Sequence, residues 1–119
     1  MTDAVTNVPM QDRGDDPENY ITRHEDGTAT VLLRRPVTVA TRDSSGATGE
    51  ELLTEIYCRR LTGRHLREAS SKPTAAAAGY LLQSSTGKSL PILDRLDAED
   101  HQRISDVIMG FIKIVRPTG

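Results

Sequence analysis

The most regular pattern of apolar and polar positions lies near the C-terminus. Ile104, Val107, Ile108, Phe111 and Ile112 recur at i, i+3, i+4, i+7 and i+8, which places one apolar stripe along a helix. Asp97 stands just before this pattern, and Glu99 and Asp100 fall in its first turn. Acids there cap the free N–H groups and suit the helix dipole. The pattern predicts a helix over 98–114 with Lys113 at its end. Upstream, "TAAAAGYLLQSS" has good helix propensity apart from Gly79. It predicts a helix over about 75–85, with Thr74 as its N-cap. Ile92, Leu93 and Leu96 make an apolar connector between the two.

The N-terminal half has a different period. "GTATVLLRRPV", residues 27–37, is rich in Thr, Val and Leu and follows an Asp-Gly turn signal. It predicts a strand, with Pro36 at its end or on an edge. "ATRDSSGATGEE" then predicts a hairpin loop longer than usual. Residues 51–61, "ELLTEIYCRRL", fit two patterns. Leu52, Leu53, Ile56, Tyr57 and Leu61 share a helix face, whereas Leu52, Thr54, Ile56 and Cys58 alternate as in a strand. The strand and loop before them favour a second strand. Gly63 ends that element, and His65 to Ala69 can form a short helical turn. The expected fold is a single α+β domain: a small N-terminal β-hairpin followed by two or three helices.

Charge divides the 119-residue chain. Residues 1–26 hold seven acids against Arg13 and Arg23, a balance of −5, and the rest holds ten acids and thirteen bases, a balance of +3. The acidic head has few apolar residues with which to offset the entropy of ordering. It predicts a flexible acidic tail over 1–22, a domain over 23–115 and a short tail over 116–119. The tail is read as solubilising, or as an acidic mimic docking on the basic body or on a partner. The first residues, "MTDAVTNVPM", lack the basic and apolar regions of a signal peptide. No apolar run approaches the length of a membrane helix. The single cysteine, Cys58, fits a reducing cytoplasmic setting.

Candidate chemistry is sparse. "TGKS" matches the end of a phosphate-binding loop, but the position that needs a glycine is Leu82, and Pro91 follows soon after. Gly87 is better read as the left-handed residue that ends a helix. His24, His65 and His101 have no metal-ligand spacing, and Cys58 has no histidine partner suited to nucleophilic catalysis. Asp94, Asp97, Glu99 and Asp100 are accounted for by helix capping. No enzyme, metal or cofactor is therefore expected. The arginines stand out: Arg59, Arg60, Arg64 and Arg67, with His65, fill nine residues that contain no acid. They form a candidate basic patch for an acidic protein partner or for nucleic acid. The modest charge and the near absence of aromatics weigh against nucleic acid.

The order of these phrases resembles the tail assembly chaperones of long-tailed bacteriophages, in particular the Mu-like short tail assembly chaperones. The resemblance covers roughly residues 28–113. It runs from "VLLRRPV" through "LLTEIYCRRLTGRHLREA" to "LLQSSTGKSLPILDRLDAEDHQRISDVIMGFI". The loop at 40–49 and the acidic head depart from the family pattern, and "STG" stands where Leu-Thr-Gly is usual. The resemblance implies a non-enzymatic protein that binds the tape measure protein and keeps it soluble. It also implies help in recruiting tail tube subunits, action in the cytoplasm of the bacterial host, and absence from the finished virion. A helix pair would hold an amphipathic helix through Leu81, Leu82, Ile104, Ile108 and Phe111. Self-association through an open sheet edge is compatible with the pattern. The alternative is a small adaptor or regulator that uses Arg59, Arg60, Arg64 and Arg67 to bind an acidic protein or nucleic acid.

Overall fold

The computed structural model describes residues 10–42 and 44–112. Three antiparallel strands come first: β1 (Ile21–Arg23), β2 (Ala29–Arg42) and β3 (Thr48–Cys58), in the spatial order β1-β2-β3. Four helices follow: α1 (Gly63–Ser70), α2 (Thr74–Thr86), the single turn α3 (Leu90–Leu93) and α4 (Ala98–Ile112). This is the expected α+β domain, with a third short strand added to the hairpin. One face of the sheet packs on the helices through Val31, Leu33 and Ile56, which meet Leu82, Leu93, Ile104 and Ile108 in a common core.

The hairpin strands run further than their sequence suggests. Pairing continues through Thr41 with Gly49 and Arg42 with Thr48, so the connection shrinks to residues 43–47. The threonines near the tip suit a pleated surface. Pro36 does not end β2 but lies buried inside it, where the register breaks between Leu32 and Val37. Proline cannot donate to a ladder, so it is accommodated at the bulge. The break also changes which positions of β3 face inward, while β2 keeps its alternation on either side. Ala29, Val31 and Leu33 face the core before it and Val39 after it, while on β3 Leu53 and Ile56 are both buried. Strict alternation would have put Leu52 inside; instead it is half exposed.

The bulge strands several backbone groups, and two distant side chains satisfy them. Asp100, completely buried in the first turn of α4, accepts the Arg34 N–H on Oδ1 and the Arg35 N–H on Oδ2, both at 2.9 Å. From the N-terminal segment, Gln11 donates its own N–H to the Arg34 carbonyl (2.8 Å). Its Nε2 donates to the carbonyls of Leu33 (2.8 Å) and Thr54 (3.0 Å). The bulge is thereby the point at which the sheet, α4 and the N-terminal segment are joined.

The expected tail over 1–22 is therefore corrected for residues 10–22. Pro17–Tyr20 form a 3-10 turn capped by Asp16, and Ile21–Arg23 pair with β2. Tyr20 is buried, and its hydroxyl accepts the Arg13 N–H (2.8 Å) and donates to the Gly14 carbonyl (2.7 Å). One buried aromatic, a plug of amide bonds and a strand pairing offset an ordering cost that composition alone suggested was too high. Residues 1–9 and the expected tail over 116–119 lie outside the described residues, as does Lys113.

The helices follow their signals closely. The Asp97 carboxylate accepts the Glu99 N–H at 3.0 Å and caps α4. Gly87 adopts φ 71° past the end of α2 and donates its N–H to the Gln83 carbonyl (2.8 Å), as a helix-ending glycine should. Thr74 is the first residue of α2 rather than its cap. Pro73 holds that place, and its carbonyl accepts the Ala77 N–H (2.8 Å). α1 begins where the Thr62 N–H donates to His65 Nδ1 (3.0 Å).

Candidate functional site

α2 and α4 lie side by side against the sheet and leave a groove between them. Ala78, Leu81 and Leu82 of α2 face Ser105, Ile108 and Met109 of α4 around a space of about 110 Å³. The lining is almost wholly apolar. Met109 also borders a broader hollow of about 460 Å³ with Asp106, Gly110 and Ile112, so the apolar strip continues toward the end of α4. Leu82 is 8% exposed and Ile108 1%; they form the floor. Ala78, Leu81, Ser105 and the 54% exposed Met109 are the parts a visitor can touch.

The five apolar residues expected to hold a partner helix thus separate. Leu81, Leu82 and Ile108 line the groove. Ile104 is buried in the core. Phe111 is half buried, with the Arg60 guanidinium 5.6 Å from its ring centre. Ala78 and Met109 escaped the sequence reading because both sit beside the apolar stripes rather than in them. A half-exposed methionine on a helix flank is the signal that would have found the second, since its flexible thioether adapts to varied contacts.

The four arginines do not form one patch. The Arg59 Nε donates to the Ser84 carbonyl (2.8 Å), and its backbone exchanges bonds with Ser85, whose Oγ donates to the Arg59 carbonyl (2.7 Å). This ties the end of β3 to the last turn of α2. Arg60 lies over Phe111 and against Gly27, where even a Cβ would come within 2.9 Å of its side chain. Arg64 and Arg67 stand apart on α1, both exposed.

Behind the groove, α4 is anchored by an ionic cluster. Arg103, buried in α4, donates to Asp100 Oδ1 and to Glu99 Oε2, each at 2.9 Å. Arg34 donates to the same Glu99 oxygen (3.0 Å) and to Asp12 (3.1 Å), and Asp15 lies 3.6 Å from it. Acids of the N-terminal segment do dock on a basic residue of the body. The bond from Arg34, and then that from Arg103, holds the Glu99 carboxyl below its ordinary 4.5. The Gly14 N–H, and then Arg34, lowers Asp12 from 3.8. A carboxyl depressed in the folded state adds stability above its unfolded pKa, and that stability is lost as pH falls through the folded value. The expected melting temperature is flat from neutrality to about pH 5 and declines below it. A pH series of thermal melts checks this, and Glu99→Gln should make the decline shallower.

Cys58 is fully buried, and burial pushes its thiol up to about 12. It stays protonated at neutral pH and is a packing residue rather than a nucleophile. Among the described residues no group of three or more His, Cys, Asp or Glu side chains is placed to hold a metal ion. None of the described helices is long and apolar enough to cross a membrane. Comparison with protein-family models, with curated proteins and with solved structures finds no match.

Proposed function

We propose that this protein is a non-enzymatic tail assembly chaperone. It holds an amphipathic helix of a phage tape measure protein in the groove between α2 and α4. The observation that carries this reading is the groove itself: an apolar strip on two packed helices, with a half-exposed methionine at its rim. Such a strip suits the apolar face of a third helix. The family resemblance supplies the occupant and the setting: a long helical client in the bacterial host cytoplasm, kept soluble while tail tube subunits are recruited. One short groove binds weakly, but many copies along one client would act together. The basic-adaptor alternative is weakened because Arg59 and Arg60 are already engaged within the fold.

The test is co-expression with a phage tape measure protein. The wild type should keep it in the soluble fraction and co-purify with it. Met109→Asp and Ala78→Asp change exposed side chains. They should leave the melting temperature within a few degrees, yet weaken client binding by roughly tenfold or more each. An insoluble client in the presence of the wild type, or full binding by both variants, refutes the proposal.

A further inference from the structure

The two arginines of α1 acquire a setting that their sequence neighbours do not share. Arg64 Nε lies 3.7 Å from Glu68 Oε2, while the Tyr80 hydroxyl of α2 donates to Glu68 Oε1 at 2.7 Å. Lys72, between the helices, places its ammonium 5.0 Å from the Tyr80 ring centre, and the His65 ring lies 6.3 Å from that ring. The Tyr80 hydroxyl, and then Arg64, Lys72 and Arg67, draw the Glu68 carboxyl below its ordinary range. Arg64 contacts this carboxylate, Lys72 lies on the ring of the tyrosine that binds it, and Arg67 is next to it in sequence, so the corner holds a local surplus of positive charge. The Arg64 side chain is 77% exposed.

We infer that this α1–α2 corner is a second docking point, which takes the carboxylates of an acidic protein segment. Arg64 and Arg67 stand one helical turn apart, the spacing at which acids one turn apart on a partner helix would meet them. A nucleic acid fits less well. Its charges repeat about every 1.7 Å along a duplex and call for an extended basic track, whereas this corner is confined to α1, Lys72 and Tyr80 on a chain of net charge −2. Tyr80 points from the opposite side of α2 to Ala78, Leu81 and Leu82, given 3.6 residues per turn. The corner is thus separate from the groove and goes beyond the chaperone reading.

The experiment titrates the isotopically labelled full chain with a short oligoglutamate peptide at low salt, read by amide chemical shifts. Shifts should centre on α1, Lys72 and Tyr80. The double variant Arg64→Ser, Arg67→Ser should lose roughly tenfold in affinity. The control Arg42→Ser, Arg95→Ser removes the same charge from exposed sites elsewhere and should bind as the wild type does. An absence of shifts, shifts centred elsewhere, or equal losses in both double variants overturns the inference. So does displacement of the peptide by an oligothymidylate of equal charge, which would assign the corner to nucleic acid. Met109→Asp is read by client solubility, so failure of the groove and failure of the corner remain distinct.

Discussion

Replacing Asp100 with alanine is expected to cost about 3–5 kcal/mol, the range for breaking a buried charge pair from one side. The carboxylate has no solvent exposure and carries three bonds: the N–H groups of Arg34 and Arg35 in the bulge, and the Arg103 guanidinium. Alanine leaves two part-buried donors without their acceptor and removes one of the two carboxylates that hold the buried Arg103 cation. A small domain has roughly 5–15 kcal/mol in all, so the variant should be close to unfolding, with a sharply lower urea midpoint. Asp100→Asn should fare little better, because its amide nitrogen would face an N–H. The cluster is not a simple ion pair that apolar residues could replace. In Asp100→Leu with Arg103→Met the charges vanish together, yet the bulge N–H groups stay unpaired. That double variant should still lose about 2 kcal/mol or more. A loss below about 1 kcal/mol in Asp100→Ala would mean that the bulge finds other acceptors.

The second large effect is expected at Tyr20. Its ring is 1% exposed and lies 4.3 Å from the Arg103 guanidinium carbon and 5.9 Å from that of Arg34. Tyr20→Ala removes a fully buried aromatic and should cost about 3–5 kcal/mol. Tyr20→Phe keeps the ring and loses only the hydroxyl bonds to Arg13 and Gly14, for about 1 kcal/mol. Because Tyr20 and Arg103 touch, their losses should not add. A double-mutant cycle should return about 0.5–3 kcal/mol of coupling. Hydrogen exchange at Gln11 gives a local readout: its amide, bonded to the Arg34 carbonyl, should lose protection in Tyr20→Ala. An unchanged urea midpoint would mean that residues 10–20 do not belong to the cooperative unit.

Both effects bear on the groove, since the same cluster sets where α4 lies. Arg103 binds Asp100 one turn away on its own helix, and Asp100 binds the bulge of β2. A displaced α4 would carry Ser105, Ile108 and Met109 away from α2. On the proposed chaperone reading, destabilising variants of the cluster should therefore lose client binding along with stability, whereas Met109→Asp should lose binding alone.

The sequence by itself determined the elements whose causes are local. The stripe from Ile104 to Ile112, the Asp97 cap and the helix-ending Gly87 each depend on neighbours within one or two turns, and each stands where its pattern places it. The hairpin was legible for the same reason, although the reach of its strands was not. Tertiary structure alone decided the rest. An acid in the first turn of a helix is explained equally well by capping, so nothing local distinguishes Asp100, which bonds to a bulge 66 residues away, from Glu99 beside it. Net charge made residues 10–22 look unable to fold, because composition counts apolar residues but does not show that one tyrosine and one glutamine meet a waiting cation and unpaired carbonyls. Periodicity marks which face of a helix is apolar. It does not say how much of that face the sheet covers, and that remainder separates Ile104 in the core from Met109 at the rim of the groove.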